Sequence, residues 1–420
     1  MTFVQEMRGG YRCLSILVAW FVLCSTLVSA FSSERNDNLA VYWGQDSANN
    51  QQRLSFYCED DTIDAIPLAF LYIFFGAGGM PVIDFANICS TGGNNFPGTD
   101  LADCSFMASD IEQCQAKGKI VTLSLGGATA KVGFSSSSQA SDFAHTIWNL
   151  FLGGSSSMRP FGSAVLDGVD LDIENGSNAF YNTFVNTLRS LAQNAKKRYY
   201  VTAAPQCPFP DAELGNALNS AFFDAVYVQF YNNFCETSAP SEFNMATWDN
   251  WAKTVSPNRD IKVYLGAPGS PGSAGDGFVS SGTLINVVKE AQQKYSSFGG
   301  VMLWDADSAQ TNGRYQVTVK NAIQNGASSP NPGSTQNPTP TSTHPATTQT
   351  KPHSSSETQP PATTQAPTHT AAPSSSASSA TSIPDPRWTA RVKRPIAKRN
   401  LTVGHPTPRI PRRPSRLFKR

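Results

Sequence analysis

The sequence predicts an α/β fold: a single (β/α)8 (TIM) barrel, followed by a disordered Ser/Thr/Pro-rich C-terminal region. Three observations carry this. Eight apolar runs of strand length recur along the first 325 of 420 residues. Helix-like segments separate most of them, which is the mark of parallel βα units buried on both faces. Eight such units in somewhat under 300 residues sit slightly above the usual barrel size of about 250. A doubly wound open sheet is the alternative, but no GxGxxG or GxxxxGK[ST] phosphate loop supports it.

In chain order the expected strands are "NLAVYWGQ" (38–45), "AIPLAFLYIFF" (65–75), "KIVTLSLGG" (119–127), "LDGVDLDIE" (166–174), "YYVTAAPQ" (199–206), "AVYVQFYNN" (225–233), "IKVYLGAPG" (261–269) and "GGVMLWDAD" (299–307). Expected helices include 105–118, 179–197 and 282–295. Residues 31–325 form the barrel domain. Before them, Arg8 and Arg12 precede an apolar run that ends in the small residues Val28 and Ala30. Residues 1–30 are therefore expected to be a secretory signal cut after Ala30. A membrane anchor is the alternative, disfavoured because the run is short for a span. No other long apolar segment follows, so no membrane span is expected in the mature protein, which is expected to be a secreted monomer.

After residue 325 the composition turns to Ser, Thr and Pro. Residues 326–385 have too little to bury to offset their ordering entropy and are expected to be an O-glycosylated linker. Residues 386–420 form a basic tail with twelve Lys and Arg and no acid after Asp385. Removing those twelve from the chain's 32 basic residues leaves 20 against 31 acidic ones, a balance of −11. An acidic body makes a nucleic-acid partner improbable. The tail has two readings: a wall anchor for anionic polysaccharide, or a solvated segment without a partner.

Of eight cysteines, Cys13 and Cys24 lie in the signal. The other six suggest disulfides in an oxidising compartment, and permit fifteen connectivities. There is no CxxC pair, and His145 is the one histidine before the linker. No zinc site, other metal, cofactor or histidine-based triad is therefore expected. His145 reads as a packing or surface residue on an amphipathic helix.

The chemistry is written in "LDGVDLDIENG" (166–176). Side chains alternate along a strand, so Val169, Leu171 and Ile173 face one way while Asp170, Asp172 and Glu174 face the other. Carboxylates two residues apart start about 6.6 Å from each other. In a barrel such a face points inward, and Glu174 falls at the C-terminal strand end where active sites lie. Burying three ionised acids together is costly. Proton sharing relieves this, and can hold Glu174 protonated as a general acid. A calcium site or a solvated acidic edge is the alternative. Asp167 is out of phase with the inward acids and is expected to be structural.

The pattern Asp167, Asp170, Asp172, Glu174 resembles the D-x-x-D-x-D-x-E signature of family 18 glycoside hydrolases. "VYWGQ", "SLGGA", "WNLFLGG", "VTAAPQCPFPD", "VQFYNN" and "GGVMLWD" resemble, in order, the class III (hevamine-type) plant and fungal chitinases. The resemblance covers about residues 38–325. It implies a secreted or wall-associated endochitinase acting on chitin and chito-oligosaccharides, with the substrate assisting. Glu174 would be acid and base, Asp172 would orient the substrate acetamide, Asp170 would share a proton with Asp172, and Tyr231 would bond the acetamide carbonyl. Gln229, Trp304, Tyr42 and Gly127 would bind substrate. The implied disulfides are Cys58–Cys114, Cys89–Cys104 and Cys207–Cys235; the 89–104 loop is longer than in the plant proteins. Asn400 heads a glycosylation sequon. Asn175 heads another directly after Glu174, where a glycan would obstruct the cleft, so it is expected to stay unmodified. The alternatives are an endo-β-N-acetylglucosaminidase on N-glycans, a non-catalytic lectin or inhibitor on the same fold, and a structural wall protein.

Overall fold

The structure is a computed structural model, which describes residues 31–324. The expected signal at 1–30, linker at 326–385 and tail at 386–420 with Asn400 lie outside the described residues.

Eight parallel strands alternate with helices: β1 Asn38–Val41, β2 Ala65–Ile73, β3 Ile120–Gly126, β4 Gly168–Asp172, β5 Tyr200–Ala203, β6 Ala225–Gln229, β7 Lys262–Pro268 and β8 Phe298–Trp304. Each pairs with the next, and β1 pairs with both β2 and β8, so the sheet closes into a barrel. The helices are α1 Leu54–Cys58, α2 Ala108–Ala116, α3 Ser137–Phe151, α4 Tyr181–Ala192, α5 Gly215–Leu218, α6 Met245–Thr254, α7 Ser281–Lys294, α8 Ala306–Thr311 and α9 Tyr315–Gln324. Among the described residues, no helix is long and apolar enough to cross a membrane.

The helices form where apolar residues recur at helical spacing. In α4 the buried positions are Tyr181, Phe184, Val185 and Leu188, a single stripe against the sheet. Ser136 caps α3 by accepting from the Gln139 amide, and Ser280 does the same for α7 from Thr283. Outward strand residues such as Val169, Leu171 and Ile173 pack under these helices. Inward residues, among them Ala40, Tyr227, Tyr264 and Met302, fill the barrel as a separate core.

One strand departs from simple alternation. The register of β2 on β3 slips between Ala69 and Leu71. The slip turns Phe70 into the barrel interior. Beyond it, Val82–Ile83 adds a two-residue antiparallel strand to β2. Three disulfides tie the loops: Cys58–Cys114, Cys89–Cys104 and Cys207–Cys235. Asp167 sits at the start of β4. It accepts from the Val121 amide at 2.7 Å and pairs with Lys197 at 2.9 Å, a structural anchor. His145 is exposed on α3.

Candidate active site

The C-terminal ends of the strands surround a cleft of about 610 Å³. A second hollow of about 620 Å³ opens at the opposite end, around Asp224 and Lys262. Barrel chemistry belongs to the C-terminal face, and Asp224 is already paired with Arg189 and Arg198.

At the bottom of the cleft, β4 delivers its inward acids in a column. Asp170 is fully buried and accepts three hydroxyl bonds of 2.7 Å: from Tyr42 and Ser124 on Oδ2, and from Thr202 on Oδ1. Burial raises its carboxyl above the ordinary range, and the three hydroxyls pull it back. Asp172 is one level higher. Its Oδ1 accepts from Gln229 Nε2 at 2.8 Å, and it hydrogen-bonds Glu174. Burial first, then the charges of Glu174 and Asp170, push Asp172 well above the usual carboxylate range. Burial also raises Glu174, offset by its bonds to Asp172 and Gln229. The pair is thus arranged to hold one proton between Asp172 and Glu174 at the rim. The Asp170 charge also raises Asp172, so the two carboxyls remain electrostatically linked.

The backbone around this column is fixed by glycine. Gly126 has φ +122°, and a Cβ there would lie 1.9 Å from the Asp172 carbonyl oxygen. Gly127 has φ +89°, and its Cβ would meet the Phe70 ring at 2.8 Å. The Gly127 amide donates to the Asp172 carbonyl at 2.7 Å. The "SLGGA" run therefore lets β3 and β4 close beside the acids.

Glu174, Asp172, Gln229, Tyr231, Gly127 and Trp304 all line the cleft. Trp304 stacks on Phe70, ring centroids 5.6 Å apart and 20° between planes, making an aromatic floor. Tyr42 lies deeper than the other candidates. It is 1 % exposed, its hydroxyl is committed to Asp170, and it does not line the cleft. It supports the floor from beneath, 5.6 Å from Trp304. Asn175 borders the site, its Nδ2 donating to the Ala128 carbonyl at 3.1 Å.

The cleft also holds residues that the sequence did not single out. Gln45 donates to the carbonyls of Ala69 and Asp84, bracing the slipped end of β2. Phe70, Tyr72, Asp84, Thr129 and the 272–275 loop complete the walls. Ser124 and Thr202 are inward polar residues in apolar strands, the same signal that exposed the acids. Among the described residues, no group of three or more His, Cys, Asp or Glu is arranged to hold a metal.

Comparison with known proteins agrees with this geometry. The profile of the glycosyl hydrolases family 18 matches residues 38–294. Chitinase 2 of Rhizopus oligosporus is 49% identical over 310 residues, covering 73% of this chain and 56% of that protein. The chain thus spans little more than half the length of that relative. Among solved structures, the ICChI chitinase of Ipomoea carnea superposes with a TM-score of 0.60 at 35% identity, covering 68% of this chain and 99% of that one. The xylanase and alpha-amylase inhibitor protein XAIP-II of Scadoxus multiflorus gives 0.58 at 34% identity, covering 68% and 98%. Fold, acidic strand and profile agree, and the chain belongs to the glycosyl hydrolases of family 18.

Proposed function

We propose that the protein is a secreted endochitinase that hydrolyses β-1,4-N-acetylglucosamine linkages with retention, the substrate supplying the nucleophile. The observation that carries this reading is the Asp172–Glu174 pair, hydrogen-bonded at the mouth of the acidic column. Both acids rise from one face of β4. A carboxylate nucleophile must stand across the sugar ring from the acid, and Asp172 is tethered beside Glu174 instead.

Glu174 protonates the bridging oxygen. The acetamido carbonyl oxygen of the same sugar attacks the anomeric carbon as the glycosidic bond breaks, giving an oxazolinium ion. Asp172, left as a carboxylate once that proton is spent, accepts the acetamide N–H and stabilises the ring's positive charge. Tyr231 donates to the acetamide carbonyl. Glu174, now ionised, accepts a proton from the incoming water. Gln229 holds Asp172 in place, Trp304 carries the apolar face of the sugar, and Asp170 supplies fixed negative charge from below. The names of the relatives, chitinases of Rhizopus oligosporus and Ipomoea carnea, support the substrate class.

The same reading takes residues 1–30 as a cleaved signal, 31–325 as the catalytic domain, 326–385 as a glycosylated linker and 386–420 as a basic tail, in a monomeric protein that is released or held at the wall. The decisive experiment is Glu174→Gln with chito-oligosaccharide and a high-mannose glycopeptide as substrates. Turnover of the oligosaccharide falls by about 10²–10⁴ while binding persists. Undiminished turnover, or cleavage of the glycopeptide in preference, refutes the proposal. The likeness to an inhibitor protein gives a second reading, and inhibition of a xylanase or amylase by the Glu174→Gln variant would favour it.

A further inference from the structure

Exposed apolar side chains are ordinary where they are scattered and informative where they gather on one face. Among the described residues, six phenylalanines are 40–63 % exposed: Phe56, Phe75, Phe106, Phe209, Phe222 and Phe234. Their placement is uneven. Phe222 alone lies on a connection from a helix back to a strand, at the N-terminal face. Phe75, which packs against Phe134 and Phe143, and the three rings Phe106, Phe209 and Phe234 lie on connections that leave the C-terminal face, where the cleft opens.

These three are held rather than loose. Phe106 sits in the turn before α2, one ring face covered by the Arg53 guanidinium 5.2 Å from its centroid. Phe234 directly precedes Cys235, whose disulfide partner Cys207 lies two residues before Phe209. Phe209 is braced edge-on by Trp248 at 5.1 Å. Both groups continue the cleft walls. Asp84 lines the cleft, and Ala86, whose amide bonds Asp84 Oδ1 at 2.9 Å, begins a shallow hollow of about 480 Å³. That hollow is lined by Asn94 of the Cys89–Cys104 loop and by Asn87, Ser105 and Phe106 that flank it. On the other side Asn232 lines the cleft and Phe234 follows two residues later.

We propose that Phe106 on one side, and Phe209 with Phe234 on the other, form a platform that adsorbs the protein to solid β-1,4-linked N-acetylglucosamine polymer. The platform lies outside the cleft that holds the reacting sugar. The proposal rests on the substrate class given above. Fixed aromatic faces match the apolar faces of pyranose rings, and neutral amides and hydroxyls match their polar edges. The acidic body disfavours an anionic polysaccharide in the same place.

The test compares the full chain with its Phe106→Ala/Phe209→Ala/Phe234→Ala variant for adsorption to chitin particles. It is run in 1 M salt, where a screening length of about 3 Å silences the basic tail. Phe222→Ala, with comparable exposure on the far face, is the control. The triple variant adsorbs about tenfold less, the control adsorbs like wild type, and hydrolysis of a soluble trisaccharide is kept in both. Unchanged adsorption of the triple variant overturns the proposal. So does an equal loss in the control, or a parallel fall in trisaccharide hydrolysis. Adsorption that depends on the three rings in a protein that cuts no chito-oligosaccharide would refute the enzymatic reading and leave the platform standing.

Discussion

Replacing Asp170 by Asn separates an electrostatic role from a structural one. Asp170 lies below the reacting acids, and its Oδ2 accepts from two hydroxyls at 2.7 Å, those of Tyr42 and Ser124. Asn keeps a carbonyl oxygen for Tyr42 and Ser124 and turns its amide nitrogen to Thr202, whose hydroxyl must then accept. Three bonds to a charged group become neutral ones, each weaker by about 1–1.5 kcal/mol. Removing a buried charge offsets part of this, leaving a net loss of about 2–3 kcal/mol. For a domain of this size that is a fall in Tm of about 3–5 °C. The catalytic effect has a definite sign. The Asp170 charge is one of the causes that raise Asp172. Without it the Asp172–Glu174 pair releases its proton at lower pH, and the protonated acid is lost sooner as pH rises. The alkaline limb of kcat/KM therefore moves toward acid, and each unit of movement costs about tenfold in rate above the limb. The assay is kcat/KM on soluble chito-oligosaccharide from pH 4 to 9, beside thermal unfolding. A lower Tm with an unmoved alkaline limb, or a limb moved to higher pH, would refute the electrostatic argument.

Trp304→Ala removes the floor that stacks on Phe70; KM for chito-oligosaccharide rises about tenfold with a smaller change in kcat, read by steady-state kinetics. Lys320 of α9 is fully buried, 2.5 Å from Asp64, and bonds the Asp37 carbonyl at 2.6 Å. Lys320→Met strands the Asp64 charge and destabilises by about 3–5 kcal/mol, seen as a lower Tm, with activity at 25 °C kept; adding Asp64→Leu recovers most of the loss. Asn175 holds the Ala128 carbonyl beside the cleft; mass spectrometry of active secreted protein finds it unglycosylated, and full occupancy would contradict the site geometry.

Much of the fold was legible because buried parallel strands are apolar on both faces, and the column at β4 was legible because three acids interrupt that rule at every second residue. The helices expected at 179–197 and 282–295 appear as α4, Tyr181–Ala192, and α7, Ser281–Lys294. Legibility failed where local pattern is overruled by geometry. Alternation along β2 sends Phe70 toward the helices, and only the register slip after Ala69 turns it under Trp304. Tyr42 is in phase with the interior, but its depth depends on how far β1 descends, and that placed it beneath the floor. Asp84 and the 272–275 loop reach the cleft through chain reversals that no periodicity marks. Pairing six cysteines needed a family resemblance, since spacing permits fifteen answers.

The central claim is that the substrate's own amide is the nucleophile. Chito-oligosaccharide hydrolysed in deuterated water and followed by proton NMR before mutarotation reports the configuration of the new reducing end. The account predicts the β-anomer first, and no cleavage when the acetamido group at the reacting sugar is replaced by hydroxyl. Initial release of the α-anomer, or equal cleavage of the deacetamido analogue, would contradict it.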